Sequence, residues 1–329
     1  MLQFKLYKDQ IQNLGEVERL GIAVKDLLPE YSLPKDYDGW FPFTRLCFSL
    51  GDWAVVSGLP EALKKKYPKI KIALPSRFYL KSVFGDMIQQ WAYGDNNPFA
   101  YIDYIFKNNP HIDYRFDPGD FDIIYTDHDR AYTEDINIPL AEQILLRFGL
   151  TQDDLNNIDS RPSLYFEDSE DSFEFSPKFY HLGRNQSWHL GESKGTKVTS
   201  FRFDGYDDYG CLLFASRIKN LKGRWDDKSL LQEARKYKDT PVYYYSEFDL
   251  NGTEWDELFP YRLDLSQYNL REQLYIKSKA KFNIGYQAGI NDAVSRYTDN
   301  IILTPYDDIK ENIIRKVNYI HFDGTKKLI

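Results

Sequence analysis

The sequence is poor in the residues that mark several common classes of protein. Of its 329 residues only two are cysteine, Cys47 and Cys211, and five are histidine. The two cysteines fall in separate predicted buried strands, so a disulfide between them is not expected and a reducing compartment fits best. Neither residue type shows a zinc-ligand spacing, and we therefore expect no metal site.

Long apolar runs and glycine-rich motifs are also missing. No run approaches the roughly 20 apolar residues that span a bilayer, and the first residues lack the apolar core of a signal peptide. We expect a cytoplasmic protein, with peripheral association at the inner membrane face left open. The absence of Gly-x-Gly-x-x-Gly, a P-loop and Gly-x-Ser-x-Gly argues against classical NAD binding, P-loop nucleotide binding and α/β-hydrolase chemistry.

The charge balance is acidic and the aromatic content is high. Fifty Asp and Glu against 42 Lys and Arg give a net charge of −8, which argues against a broad footprint on duplex DNA. Phe, Tyr and Trp make up 16% of the chain. Aromatic rings suit sugar rings and bases, although most of them are expected to pack in the core.

The stretch Thr44–Pro75 predicts a strand, a turn, a helix and a second strand. The run Leu46–Leu50 is rich in strand formers, and Gly51 and Asp52 break it. Helical spacing follows and ends at a Tyr-Pro pair, after which apolar and polar residues alternate over 70–74. A helix between two strands implies a parallel pair, so the Gly-Asp turn should lie at the carboxyl edge of a sheet, where α/β folds bind ligands.

The rest of the chain repeats this alternation. We predict helices over Gln10–Leu28, Phe78–Trp91, Ile138–Leu150, Asp227–Tyr237, Leu270–Ala280, Gly289–Tyr297 and Ile309–Val317, and strands over Tyr101–Phe106, Asp122–Tyr125, Cys211–Ala215, Pro241–Tyr245, Tyr261–Leu265, Lys281–Ile284 and Ile301–Leu303. Alternating strands and helices indicate an α/β protein with doubly wound, mostly parallel sheets. We expect two Rossmann-like domains, 1–165 and 186–329, joined by an acidic linker over 166–185.

Two further segments carry candidate binding residues. The loop 216–225 follows a predicted strand and places Arg217, Lys219, Lys222 and Arg224 just before a predicted helix. Cations beside a helix N-terminus suit a phosphate or pyrophosphate, although an exposed charged loop is the plainer interpretation. Glu247 follows another strand, where its carboxylate could accept hydrogen bonds from ribose hydroxyls.

Three ordered segments resemble the heptosyltransferase-like glycosyltransferases of the GT-B architecture. The matching residues are Gly51, Asp52, Pro60, Leu63, Lys64, Tyr67 and Pro68 in the first segment, Lys222, Gly223, Arg224 and Trp225 in the second, and the turn Gln287-Ala288-Gly289-Ile290 in the third. The last turn departs from the family pattern, because Gln287 replaces an acidic residue that contacts the donor sugar. A heptose donor therefore does not follow.

The resemblance implies a fold and a set of roles. Two Rossmann-like domains would face a cleft, and Asp52 would be the general base that takes the proton of an acceptor hydroxyl. The candidates for binding a nucleotide-diphosphate sugar are Ser216, Lys222, Arg224, Glu247, Gln287, Gly289 and Asn291, and those on the acceptor side are Gly51, Trp53, Asp127 and Asp129. The chemistry would need neither a metal nor a cofactor beyond the nucleotide sugar.

The sequence leaves the acceptor and the class of protein open. A saccharide or glycolipid acceptor is favoured, and a modified base in DNA, as in phage glycosyltransferases, is the second choice because a nucleic-acid partner suits the acidic chain less well. A non-catalytic nucleotide-sugar-binding protein is a third reading, supported by the changed Gln287 turn. An epimerase on the same fold is a fourth.

Overall fold

The chain divides into two α/β units. In the computed structural model we describe residues 4–7, 33–45, 49–83, 98–127, 138–167, 174–175, 196–197, 208–214, 227–246, 253–265, 268–286, 288–304, 317–321 and 326–328. Unit 1 comprises residues 1–92 and 97–165, and unit 2 comprises residues 93–96 and 166–329.

Unit 1 is built on a five-stranded sheet. Its strands are β1 (Phe4–Tyr7), β2 (Trp40–Arg45), β3 (Lys71–Pro75), β4 (Tyr114–Phe116) and β5 (Ile123–Asp127), arranged in the order β1-β5-β2-β3-β4. The pairs β5–β2, β2–β3 and β3–β4 are parallel, and β1 runs antiparallel to β5 at the edge. Counted from β2, the parallel strands follow the order 3-2-1-4, which is that of a Rossmann half-sheet.

Helices connect these strands. They are α1 (Leu50–Val55), α2 (Leu59–Lys66), a helical segment over 77–83, α3 (Tyr101–Phe106), α4 (Leu140–Arg147) and α5 (Gln152–Asn157), with a 3₁₀ turn over Pro98–Ala100. The last turn of α2 carries three lysines, as its sequence predicts. Gly149 ends the turn after α4 with a φ of 95°, a left-handed conformation that glycine adopts readily.

The core of unit 1 is aromatic. Phe41 stacks on Tyr125 with ring centroids 4.3 Å apart, and Phe148 packs edge-on against Phe43 at 5.5 Å. Because residues of a strand alternate between its faces, Phe41 and Phe43 place two rings on the same face of β2. All four side chains are buried.

Unit 2 contains a seven-stranded sheet. Its strands are β8 (Gly210–Phe214), β9 (Val242–Ser246), β10 (Arg262–Asp264), β11 (Phe282–Tyr286), β12 (Asp299–Thr304), β13 (Asn318–His321) and β14 (Lys326–Leu328), in the order β10-β9-β8-β11-β12-β13-β14. All pairs are parallel except β13–β14. Counted from β8, the parallel strands follow the full Rossmann order 3-2-1-4-5-6. A separate two-stranded sheet pairs β6 (Glu174–Phe175) with β7 (Thr196–Lys197).

The helices of unit 2 alternate with its strands. They are α6 (Asp227–Ala234), extended by a 3₁₀ turn over Arg235–Tyr237, α7 (Glu254–Leu258), α8 (Leu270–Lys279) and α9 (Gly289–Ala293). Helix α8 is buried on every side from residue 270 to residue 278. At Gly210 a Cβ atom would lie 2.1 Å from the Phe282 ring, so the close contact between β8 and β11 requires glycine there.

Four predictions for the described residues differ from the structure, and β1, α5, α7, β13 and β14 are among the elements that were not predicted. The first parallel strand is Trp40–Arg45, five or six residues earlier than Leu46–Leu50, and Leu50 already begins α1. Tyr101–Phe106 is a helix, since Ile102, Ile105 and Phe106 are buried at helical spacing. Tyr114–Phe116, expected as loop, is a strand, and the predicted helix over Gly289–Tyr297 ends at Ala293. The helices predicted over Gln10–Leu28 and Ile309–Val317 lie almost entirely outside the described residues.

Candidate functional site

The carboxyl edge of the unit 1 sheet has a topological switch point between β2 and β5. From β2 the sheet continues through β3 and β4 on one side, and β5 lies on the other side. Arg45 and Asp127, the last residues of the two strands, are neighbours in the parallel register. Segments that follow these strands therefore emerge together, at the position where open α/β sheets bind ligands.

Asp52 lies at this edge, in the first turn of α1. Its Oδ2 accepts a hydrogen bond from the Ser49 backbone amide at 2.7 Å, and its own amide donates to Ser49 Oγ at 3.3 Å. The two residues thus form a capping box that begins the helix. Asp52 lies within the first turn of the helix, whereas the sequence predicts it in a turn before one.

Arg45 holds Asp52 from the strand side. Its guanidinium donates to the Asp52 carbonyl, and Nη1 lies 4.0 Å from Oδ1. The Arg45 side chain is 2% exposed, whereas the Asp52 side chain is 31% exposed. An amide donor and a guanidinium both stabilise negative charge. The carboxylate is therefore held between an amide donor and a guanidinium while it still reaches solvent, which is an arrangement that suits a general base.

The other predicted acceptor-side residues differ in how exposed they are and in whether the structure describes them. Gly51 is half-buried within α1, and Asp127 ends β5 beside Arg45. The Trp53 side chain is fully buried and packs edge-on against Phe106 with centroids 6.2 Å apart, so we assign it to the core and not to an acceptor surface. Asp129 lies outside the described residues.

A second charged group at this edge was missed by the sequence reading. Arg77, two residues after β3, makes an ion pair with Asp103 of α3, and Arg115 of β4 approaches the same carboxylate at 3.9 Å. Burial lowers the pKa of Arg115, and the Asp103 carboxylate opposes that shift. These residues are far apart in sequence, so only the strand order could have predicted their cluster.

In unit 2 the switch point lies between β8 and β11. The candidate donor residues Ser216, Lys222 and Arg224 follow β8, Glu247 follows β9 and Gln287 follows β11, but all five lie outside the described residues. The strands that precede them in sequence are adjacent and parallel, so those strands end at the same carboxyl edge of the sheet.

Gly289 and Asn291 are the described donor candidates. Gly289 is the first residue of α9, which is five residues long. Asn291 is 1% exposed, and its carbonyl accepts a hydrogen bond from Asn300 Nδ2 at 2.7 Å. We therefore assign the Asn291 side chain to the interior of unit 2 and not to a donor contact.

Several buried titratable groups lie in unit 2. Burial raises the pKa of Asp292 to about 7 and that of Glu272 to about 7, the latter opposed by the Asn269 amide that Glu272 accepts from. Burial lowers the pKa of Lys277 to about 8, opposed by Cys211, whose own pKa rises to about 11. The sequence does not predict that these groups are buried, because charged residues on a helix ordinarily indicate its solvent-exposed face.

Within the part of the chain that the structure describes, no three or more His, Cys, Asp or Glu side chains group together as metal ligands could. In the same residues no helix has both the length and the apolar character needed to cross a membrane.

Comparisons with known proteins find a similarity in structure. No protein-family model matches the chain, and no curated protein matches it significantly. Among solved structures, the chain is similar to the glycosyl transferase family 9 protein from Veillonella parvula DSM 2008, with a TM-score of 0.47 and 11% sequence identity. The similarity covers 88% of this chain and 87% of that one.

Proposed function

We propose that the protein is a glycosyltransferase that moves a sugar from a nucleotide-diphosphate sugar to a hydroxyl acceptor. The observation that carries the proposal is the Asp52 carboxylate, held by Ser49 and Arg45 at the switch point of a Rossmann-ordered sheet. The three sequence segments that resemble heptosyltransferase-like enzymes support the same activity. A GT-B arrangement, with unit 1 on the acceptor side and unit 2 on the donor side, belongs to this proposal.

In the proposed reaction Asp52 takes the proton of the acceptor hydroxyl as its oxygen attacks the anomeric carbon of the donor. The bond between that carbon and the diphosphate oxygen breaks, and the diphosphate leaves with the bonding electrons. Lys222, Arg224 and the backbone at Gly289 would stabilise the developing charge, which removes the need for a metal ion. Ser216, Glu247 and Gln287 would contact the nucleoside and the donor sugar.

Replacing Asp52 by Asn tests this proposal. General-base catalysis typically contributes about 100- to 10,000-fold, so Asp52→Asn should lose most turnover. An Asn side chain can still accept the Ser49 amide hydrogen bond, so the helix start should be retained. Donors are first found by a thermal-shift panel of nucleotide sugars, because a ligand at about 100 times its Kd adds roughly 2.7 kcal/mol to stability.

Asp103→Asn is the matched control, because Asp103 is also an arginine-paired carboxylate at this edge of unit 1. We expect that variant to keep turnover within a few-fold of the parent chain. Equal turnover by Asp52→Asn and the parent chain would remove Asp52 from the mechanism. Nucleotide-sugar binding without any transfer would instead favour the non-catalytic binding protein.

The donor cations can be tested separately from the base. Changing Lys222 and Arg224 together to Ala should weaken binding of ADP, GDP or UDP more than binding of the matching nucleoside, as measured by calorimetry. Lys238 and Lys279, two exposed lysines of unit 2 away from the loop 216–225, provide a control pair with the same change in charge. Unchanged diphosphate affinity in the Lys222/Arg224 variant would assign the phosphate to other residues.

A further inference from the structure

We propose that a neutral saccharide chain binds in a cavity at the amino-terminal edge of the unit 1 sheet, away from Asp52. The cavity has a volume of about 320 Å³, near the lower end for ligand sites, and its lining residues are Tyr37, Trp40, Pro42, Phe121, Asp122, Ile123 and Tyr125. The saccharide bound there would be part of the acceptor, so this inference rests on the proposed function. Saccharide binding itself can nevertheless be measured without donor or turnover.

Exposed aromatic rings surround this cavity. Trp40 is 37% exposed and Tyr114 is 45% exposed, although large apolar side chains are usually buried. Trp40 packs against Tyr114 at 5.9 Å and against Phe121 at 5.8 Å between ring centroids. These rings form a connected apolar surface that the described part of unit 1 leaves partly open to solvent, and such surfaces commonly mark binding sites.

The rings are also held in place before any ligand arrives. The Tyr37 hydroxyl donates to the Trp40 carbonyl at 2.8 Å, and Lys71 Nζ lies 5.6 Å from the centre of the Trp40 ring. The Tyr114 hydroxyl donates to Asp120 at 3.0 Å. Little side-chain freedom is therefore lost when a ligand stacks on these rings, which favours binding.

The charges near the rings are three carboxylates and the Lys71 ammonium, and this negative balance favours a sugar over a phosphate-bearing ligand. Asp122 lines the cavity, and Asp117 and Asp120 are exposed nearby, where the Asp120 carboxylate accepts hydrogen bonds from the Tyr114 hydroxyl and the Asp117 backbone amide. Carboxylates repel phosphates and accept hydrogen bonds from hydroxyl groups. A pyranose has an apolar C–H face that stacks on an aromatic ring and a rim of hydroxyl donors, so its chemistry matches both features of the cavity.

The position of the cavity selects a chain of sugars over a single sugar. Trp40 begins β2 at the amino edge, and Arg45 ends it beside Asp52 at the carboxyl edge. At about 3.3 Å per residue the two ends of this strand are roughly 16 Å apart. A single sugar cannot occupy both positions, and only an oligosaccharide of several units has the length to contact Trp40 and reach Asp52.

Calorimetry on the full chain without donor tests the inference. The probes are neutral oligosaccharides of glucose, galactose, mannose and N-acetylglucosamine at millimolar concentration, each compared with its monosaccharide. We expect an oligosaccharide to bind more tightly than its monosaccharide. Trp40→Ala should weaken its binding at least about tenfold, as loss of a central aromatic contact does, and Trp40→Phe should retain most of the affinity.

Two controls remove an exposed aromatic ring elsewhere. Phe78→Ala changes a 65% exposed ring of unit 1, and Tyr261→Ala changes a 53% exposed ring of unit 2. Both should bind the oligosaccharide as the parent chain does. The inference is overturned if no probe binds, or if Trp40→Ala, checked to melt like Trp40→Phe, binds as tightly as the parent. Binding of single-stranded DNA that requires Trp40, with no saccharide binding, would overturn it in favour of base stacking.

These outcomes are separate from those of the proposed function. If Asp52→Asn keeps full turnover while Trp40→Ala weakens oligosaccharide binding, the catalytic assignment fails and the saccharide site stands. If Asp52→Asn loses turnover and Trp40→Ala binds unchanged, only the saccharide site fails.

Discussion

The two sheets share the same strand order around their switch points, yet the side chains on their first strands differ in chemistry. In unit 1 the face of β2 carries Phe41 and Phe43, packed against Tyr125 and Phe148. In unit 2 the corresponding first strand, β8, carries Cys211, whose neighbour in the register on β11 is Asn283. The strand order depends on how the chain connects the strands. It does not determine whether the side chains packed on the sheet are apolar or polar.

The polar interior of unit 2 continues through several side chains. Asn283 and Asn300 are register neighbours on β11 and β12, and Asn283 donates to the Lys277 carbonyl at 3.1 Å. The ammonium of Lys277 is fully buried and has no hydrogen-bond partner among the described residues, and the same holds for Asp292 Oδ1. Buried polar atoms without partners destabilise a fold. Unit 2 should therefore be the less stable unit, and its stability should depend on pH.

The largest effect should come from the aromatic core. Phe41→Ala removes a side chain with no exposed surface that contacts three other rings, so it should destabilise unit 1 by about 3 to 5 kcal/mol. Hydrogen exchange measured on peptides from each unit would localise the loss. Phe78→Ala, at an exposed position, should change exchange little. A loss spread equally over peptides of both units would break the distinction between the two cores.

The next effect concerns pH. Asp292 has a pKa raised from 3.8 to about 7 in the folded state. The folded state therefore keeps a proton that the unfolded state loses between about pH 4 and 7. Stability contributed by this group is full below pH 4 and is lost as the pH rises to about 7, by roughly 4 kcal/mol at 1.36 kcal/mol per pKa unit.

Asp292→Asn should remove this slope. The variant is expected to be more stable than the parent chain at pH 8, and the difference should shrink toward pH 4. Lys277→Met provides a contrast of opposite sign. In the parent chain the pKa of Lys277 is lowered from 10.5 to about 8 in the folded state. The buried charge therefore destabilises the parent chain fully below about pH 8, and this destabilisation is lost as the pH rises to 10.5. Asp264→Asn, on an exposed residue, is the control. A slope unchanged in Asp292→Asn, measured by thermal unfolding across this range, would contradict the assignment.

Much of the fold could be predicted because it depends on periodicity. The alternation over 70–74 and the helical spacing before it gave β3 and α2, and Leu270–Lys279 was found within one residue. The expected strand over Tyr101–Phe106 was wrong because a run of six residues with five apolar or aromatic side chains satisfies both periodicities. Burial of Ile102, Ile105 and Phe106 decides for the helix, and only the tertiary structure supplies that information.

The candidate site was predictable only in part. The position of Asp52 after a strand at the carboxyl edge follows from chain order alone. Its partner Arg45 was not found, because a single arginine beside an apolar run ordinarily indicates a solvent-exposed strand end. Trp53 was assigned to an acceptor surface because it adjoins Asp52, but successive residues on a helix point about 100° apart. Its side chain therefore points to the core, where Phe106 covers it.

The smallest expected effect is the difference in stability cost between losing an exposed capping box and losing a buried one. In unit 1 Ser49 Oγ accepts from the Asp52 amide, and in unit 2 Asn269 Oδ1 accepts from the Glu272 amide at 3.0 Å. Replacing a capping side chain by Ala costs about 0.5 to 2 kcal/mol. Water can replace the cap at Asp52, whose side chain is 31% exposed, but not at Glu272, which has no exposed surface.

Ser49→Ala should therefore fall near the lower end of that range and Asn269→Ala near the upper end. The measurement is chemical denaturation followed by hydrogen exchange in the peptides that contain α1 and α8. Ser49→Ala keeps the backbone amide that holds Asp52 Oδ2, so a glycosyltransferase activity should fall much less than in Asp52→Asn. Equal costs for the two capping variants would show that burial in unit 2 adds nothing to the price of a lost hydrogen bond, and the contrast between the two interiors would then rest on the titrating groups alone.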